Sequence, residues 1–155
     1  MQIPLKVDYG VRALVDLAIH RQAAPLRASE IASRTMIPEA YLAQVLHALG
    51  KAGMVKAQRG PHGGHMLALD PEEIRLSEVM ECLGAAENLV YCLDDSAVCI
   101  HAPSCAQREV WQEVELAVYR ILDSRTIGYL VDRSEEILRD RAAGTRAVVL
   151  AGRRI

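Results

Sequence analysis

With 155 residues, 51% of them hydrophobic and 25% charged, the chain can bury roughly 70% of its unfolded surface in one core and does not need disulfides to fold. No apolar run approaches the roughly 20 residues that span a bilayer, and the opening Met1-Gln-Ile-Pro-Leu-Lys has no basic and apolar export signal; the expectation is a cytoplasmic protein whose thiols stay reduced. The formal net charge of −2 excludes a uniformly basic nucleic-acid binder, yet residues 1–70 carry 8 Lys and Arg against 5 Asp and Glu, residues 71–124 carry 3 against 11, and residues 125–155 carry 7 against 4. A basic front joined to an acidic middle suits a protein that presents one end to phosphate.

In chain order, the first amphipathic helix spans residues 7–20, with Val7, Val11, Leu14, Val15, Ala18 and Ile19 on its apolar stripe and Asp8, Arg12 and Asp16 off it. A short helix capped by Ser29 runs to Arg34, and a third starts at Pro38 and stops at Gly53. In that third helix Leu42, Val45, Leu46 and Leu49 form the inward stripe, leaving Tyr41, Gln44 and His47 outside. Two short helices around a tight Thr35-Met-Ile turn predict a helix-turn-helix. Residues 54–58 and 65–69 then read as two strands joined by Arg59-Gly-Pro-His-Gly-Gly64, a wing hairpin whose glycines supply positive φ. Tyr41 and Gln44 are the candidates for the DNA major groove, and Arg59, on a narrow tip, for the minor groove or its phosphates.

Ser77 is expected to cap a helix over residues 78–83, with Cys82 buried as a small hydrophobe beside Val79, Met80 and Leu83. The stretch Cys92-Leu-Asp-Asp-Ser-Ala-Val-Cys99-Ile-His-Ala-Pro-Ser-Cys105 has no hydrophobic periodicity, and three soft ligands in so short a loop point to a metal or cluster site. A helix over residues 106–123 follows, with Val110, Trp111, Val114, Ala117, Val118, Ile121 and Leu122 at near-heptad spacing and Leu116 and Tyr119 on a second apolar face, which predicts a two-fold homodimer. Thr126 caps a last helix, and residues 139–155 form an Arg-rich tail expected to be mobile. The expected organisation is therefore a mainly α winged helix-turn-helix domain (1–83), a cluster-binding loop (84–105), a dimerisation helix with the helix after it (106–138), and the tail.

The segments Asp8-Tyr-Gly-Val-Arg-Ala-Leu14, Glu30-Ile-Ala, Tyr41-Leu42, Leu49-Gly-Lys-Ala-Gly53, the wing and the cysteine triplet resemble the IscR and NsrR family of bacterial winged-helix regulators over about residues 1–132. The resemblance implies a homodimeric, non-enzymatic transcription factor, a repressor, that binds a double-stranded DNA operator and senses nitric oxide, oxygen, redox state or iron. It implies an iron-sulfur cluster on Cys92, Cys99 and Cys105. IscR-like members place a His ligand three residues after the last cysteine, where this chain has Arg108; NsrR-like members use an aspartate of the opposite subunit at the position of Asp8, which favours a 4Fe-4S cluster. The first cysteine gap is six residues rather than the more usual five, and the aromatic residue that commonly follows the wing glycines is His65 here. The longer gap leaves His101 as an alternative ligand, with a 2Fe-2S cluster.

Two other classes stay open from the residues alone. One is a winged-helix regulator whose cysteines act as a thiol-redox switch or hold zinc, although no close Cys-x-x-Cys pair is present. The other is an iron-sulfur electron carrier, which predicts no DNA binding.

Overall fold

The computed structural model describes residues 3–84, 90–95, 97 and 99–142. Along the chain come α1 (Leu5–Ile19), α2 (Ala28–Thr35), α3 (Glu39–Lys51), the antiparallel strands β1 (Val55–Gln58) and β2 (Gly64–Leu67), α4 (Leu76–Cys82), the single turn α5 (Tyr91–Asp94), α6 (Ala106–Asp123) and α7 (Ile127–Ala142). The fold is mainly helical with a two-stranded wing, as expected. No helix of the described residues is long and apolar enough to cross a membrane.

Helix α1 is the centre, packed by α2, α3, α4, α7 and β2. Surrounded in this way it buries more than one stripe: Val7, Gly10, Ala13, Leu14, Leu17 and Ala18 are inside, whereas Ile19, expected on the apolar face, is half exposed at its free end. Asp16, expected to face away from the core, is also buried. It accepts hydrogen bonds from Nε and Nη2 of Arg34, each 2.8 Å, a bidentate pair that ties α1 to α2.

The stripe Leu42, Val45, Leu46 and Leu49 of α3 is buried as its spacing predicts. Helix starts differ from the expected caps. Ser29 lies inside α2, whose first residue is Ala28; the carboxylate of Glu30 accepts the Arg27 N–H at 3.0 Å and closes that end. Ser77 likewise lies inside α4, where Glu78 accepts the Arg75 N–H at 3.3 Å, and the buried Ser77 hydroxyl instead donates to Asp123 at 3.0 Å. In both cases a glutamate three residues downstream meets the orphan amide, freeing the serine. Pro38 precedes α3 as its cap and its carbonyl accepts from Tyr41 and Leu42. The turn between α2 and α3 is made by Met36 in the left-handed region (φ 57°), with Ile37 turned into the core.

The wing pairs Val55 with Leu67 through Gln58 with Gly64, slightly shorter than expected. A further bridge joins β2: Leu26 and His65 exchange both backbone hydrogen bonds, 2.9 and 2.7 Å. That approach is why residue 64 is glycine, since a Cβ there would run into the Leu26 backbone. Of the wing glycines only Gly60 takes positive φ (115°), so close approach rather than a left-handed turn explains Gly64.

The end of the described chain returns to this core. Ile127 is fully buried, Leu130 and Val131 pack beside it, and backbone bonds join Ile127 to Ile74 and Leu76 to Arg125, both 2.9 Å. Thr126 caps α7 as expected, accepting the Tyr129 N–H at 3.0 Å. Helix α7 continues through Ala142, so the first residues of the expected tail are helical; residues 143–155 lie outside the described residues.

Candidate nucleic-acid interface and thiol loop

Helix α3 presents Gln44 and His47 to solvent on the face opposite its buried stripe, and Arg59 stands exposed at the wing beyond β1, which packs against α3. Tyr41 is half-buried because its ring meets Tyr9 of α1 edge-on, centroids 5.3 Å apart at 87°. Tyr9 in turn lies under the Arg12 guanidinium, 5.8 Å from ring centroid to Cζ, and Arg12 pairs with Asp8 at 2.6 Å. A continuous set of side chains thus runs from Asp8 through Arg12 and Tyr9 to the helix facing the candidate groove. The far side of the wing is braced by Arg27, whose Nη2 donates to the Pro61 carbonyl at 3.3 Å.

Asp8 borders an open, mainly apolar groove of about 450 Å³ lined by Ile3, Leu5, Val7, Val11, Met80 and Leu122, among others. It lies at the start of α1 and joins no group of three potential ligands with cysteines of its own chain; among the described residues no three His, Cys, Asp or Glu side chains come close enough to hold an ion. Cys92, Cys99 and Cys105 are nevertheless all half-buried, unpaired thiols. As a donor set they match the soft chemistry of iron-sulfur or thiolate metal sites. His101 is exposed, and Arg108, three residues past Cys105, donates from Nε to the Cys92 carbonyl at 2.9 Å.

The fourth thiol, Cys82, packs against the core and donates to the Ala48 carbonyl at 3.5 Å. Burial pushes its pKa up, against a smaller opposing pull from Lys6, so it stays a protonated packing residue.

Helix α6 divides the apolar stripe predicted for it. Trp111, Val118 and Leu122 are half-buried, and the helix is pinned to α4 by Ser77 and Arg75 on Asp123 and by Tyr119 donating to Glu81 at 2.8 Å. Val110, Val114, Ala117 and Ile121, about 100° round the helix, stay exposed as a 4-3-4 seam. Leu116 and Tyr119, the expected second face, are about half exposed as well, although the Tyr119 hydroxyl is held by Glu81 of α4. No residue of α6 is fully buried.

Sequence reasoning missed Tyr9, Arg12 and Arg108. Tyr9 stands inside the Asp8-Tyr-Gly motif, a usable signal; the contacts of Arg108 need the loop to fold back, which spacing does not reveal.

Comparison with known proteins bears on these features. The family model described as Rrf2, "Iron-dependent Transcriptional regulator", matches residues 3–133. The transcriptional regulator NsrR of Bacillus subtilis is 33% identical over 140 residues, covering 90% of this chain and 96% of that protein. The IscR structure from T. potens superposes with a TM-score of 0.72 at 30% identity, covering 88% of this chain and 90% of that one. CymR, the global cysteine regulator of B. subtilis, superposes with a TM-score of 0.72 at 30% identity over 86% of this chain and 98% of its own.

Proposed function

The chain belongs to the Rrf2 family of transcriptional regulators, and from that premise we propose that it is a homodimeric repressor whose operator binding is governed by an iron-sulfur cluster on Cys92, Cys99 and Cys105. Three unpaired, half-buried thiols in one loop at the head of α6 are the observation that carries this reading. The fourth ligand is Asp8 of the partner subunit, which favours a 4Fe-4S cluster. The exposed seam of Val110, Val114, Ala117 and Ile121 is the two-fold contact, and the groove beside Asp8 lies open on the same protomer.

When bound, such a cluster supplies a redox-active group that oxidants, nitric oxide or iron loss can alter. The chain's own residues carry the consequence. Were Asp8 to hold the cluster, its carboxylate would be drawn from Arg12, whose guanidinium lies over Tyr9, and Tyr9 bears edge-on on Tyr41 of α3. On DNA, Tyr41 and Gln44 read the major groove, Gln44 pairing with adenine, and Arg59 enters the minor groove or contacts its phosphates. As a DNA-bound regulator the protein works in the cytoplasm.

Iron and acid-labile sulfide in protein purified without oxygen, with the visible spectrum of wild type and Asp8→Ala, test this. About four irons per dimer-competent chain and a spectrum altered by Asp8→Ala are expected. Protein without sulfide favours the second reading, a thiol-redox regulator built on the same three unpaired thiols.

A further inference from the structure

We propose that Arg108 is the positioning residue of the thiol loop, holding its two ends together from a single site on α6. Its side-chain Nε donates to the Cys92 carbonyl at 2.9 Å, and its backbone N–H donates to the Cys105 carbonyl at 3.1 Å. The remaining cysteine is fixed separately: the Ala102 N–H donates to the Cys99 carbonyl at 3.0 Å, at the start of the turn Ala102–Ser104. Each cysteine therefore has its backbone carbonyl engaged while its thiol is unpaired; the Cys105 bond is the first-turn bond of α6 that any residue at 108 makes, and the Cys92 anchor is the one that depends on the arginine side chain.

The side-chain bond is half-buried and made by a charged donor, which makes it stronger than a neutral surface bond. It spans sixteen residues of sequence, so it closes the whole loop rather than one turn. Arg108 thereby raises the effective concentration of the Cys92 thiol beside Cys105, whatever group the thiols take. The inference rests on the loop being a thiol site, and not on the identity of that group.

The test uses metal-free protein carrying Cys82→Ser and Cys99→Ser, so that only Cys92 and Cys105 remain. Diamide closes the intramolecular disulfide by accepting two electrons and two protons, and its rate is normalised to the alkylation rate of each thiol alone. Arg108→Ala is expected to slow closure about tenfold, the equivalent of about 1.4 kcal/mol for one charge-assisted bond. Arg108→Lys, which keeps a cationic donor, recovers part of the rate, and Gln107→Ala on the neighbouring exposed position leaves it unchanged. Equal rates for wild type and Arg108→Ala overturn the proposal, as does an equal slowing by Gln107→Ala. If Arg108→Ala does not fold, Arg108→Lys decides: a slowing of about threefold supports the proposal and none overturns it. Iron content of the unmodified chain is read separately, so Arg108-dependent closure in a protein without iron would remove the cluster and leave the positioning role standing.

Discussion

Tyr9 of α1 meets Tyr41 of α3 edge-on, with ring centroids 5.3 Å apart at 87°, one of the contacts between the helix bearing Asp8 and the helix facing the candidate groove. Such a pair contributes about 0.5–1.5 kcal/mol beyond its buried area. If it transmits the state of Asp8, Tyr9→Leu should narrow the ratio of operator affinities between the iron-loaded and iron-free forms by up to about tenfold. Tyr9→Phe should retain the ratio. Fluorescence anisotropy on labelled operator measures both; an unchanged ratio in Tyr9→Leu reduces the pair to packing.

The Asp16–Arg34 pair makes a stability prediction independent of function. Removing the guanidinium leaves a carboxylate with little solvent, so Arg34→Ala should cost about 3 kcal/mol in urea unfolding. Asp16→Leu with Arg34→Leu should regain most of it, because an apolar pair of similar volume leaves no charge buried. Equal losses in single and double variants would show that the pair is not what holds α2 to α1.

The wing depends on glycine at position 64. Gly64→Ala should destabilise the fold by about 1–3 kcal/mol by pushing Leu26 off β2. It should weaken operator binding through displacement of Arg59, while Gly53→Ala, with open space around its Cβ, tests the cost of positive φ without touching the wing. Operator binding by Gly64→Ala equal to wild type would separate Arg59 from the wing's rigidity.

His65 gives a pH dependence. Burial pushes its pKa below the ordinary 6.5, and its Nδ1 is buried without a hydrogen-bond partner among the described residues. The unfolded chain takes up the proton near the ordinary value and the folded chain resists it. This contribution to stability is therefore complete above about pH 6.5 and is lost as pH falls below it toward the depressed folded value. His65→Phe should flatten that slope and gain about 1 kcal/mol at neutral pH. Urea midpoints at about pH 7.5 and about pH 5.5 decide it, and an undiminished slope in His65→Phe would assign the effect to another group.

The residues that sequence made legible are those whose signal is local. The α3 stripe, the Thr126 cap and the strand pair follow from periodicity and turn chemistry. Asp16 was misplaced because a charged residue off a stripe is ordinarily solvated, and only the return of α2 supplies Arg34. Ser29 and Ser77 were natural caps, yet Glu30 and Glu78 took that work. The apolar arc of α6 is visible as a whole; which part of it the chain covers is decided by α4, through contacts between residues 38 and 46 apart in sequence, and that is invisible to spacing. The cysteine triplet was legible as chemistry, whereas the anchoring by Arg108 is purely tertiary.

The central claim is that the thiol loop governs operator affinity, and the most direct measurement is anisotropy on the protein's own upstream DNA, without oxygen, before and after iron is removed by chelation, for wild type and Cys92→Ala. The account predicts that wild-type affinity changes roughly 5- to 150-fold on iron removal and that Cys92→Ala is locked at one value. Tight binding that is the same in all four samples would contradict it, leaving a winged-helix regulator whose cysteines do not control DNA binding.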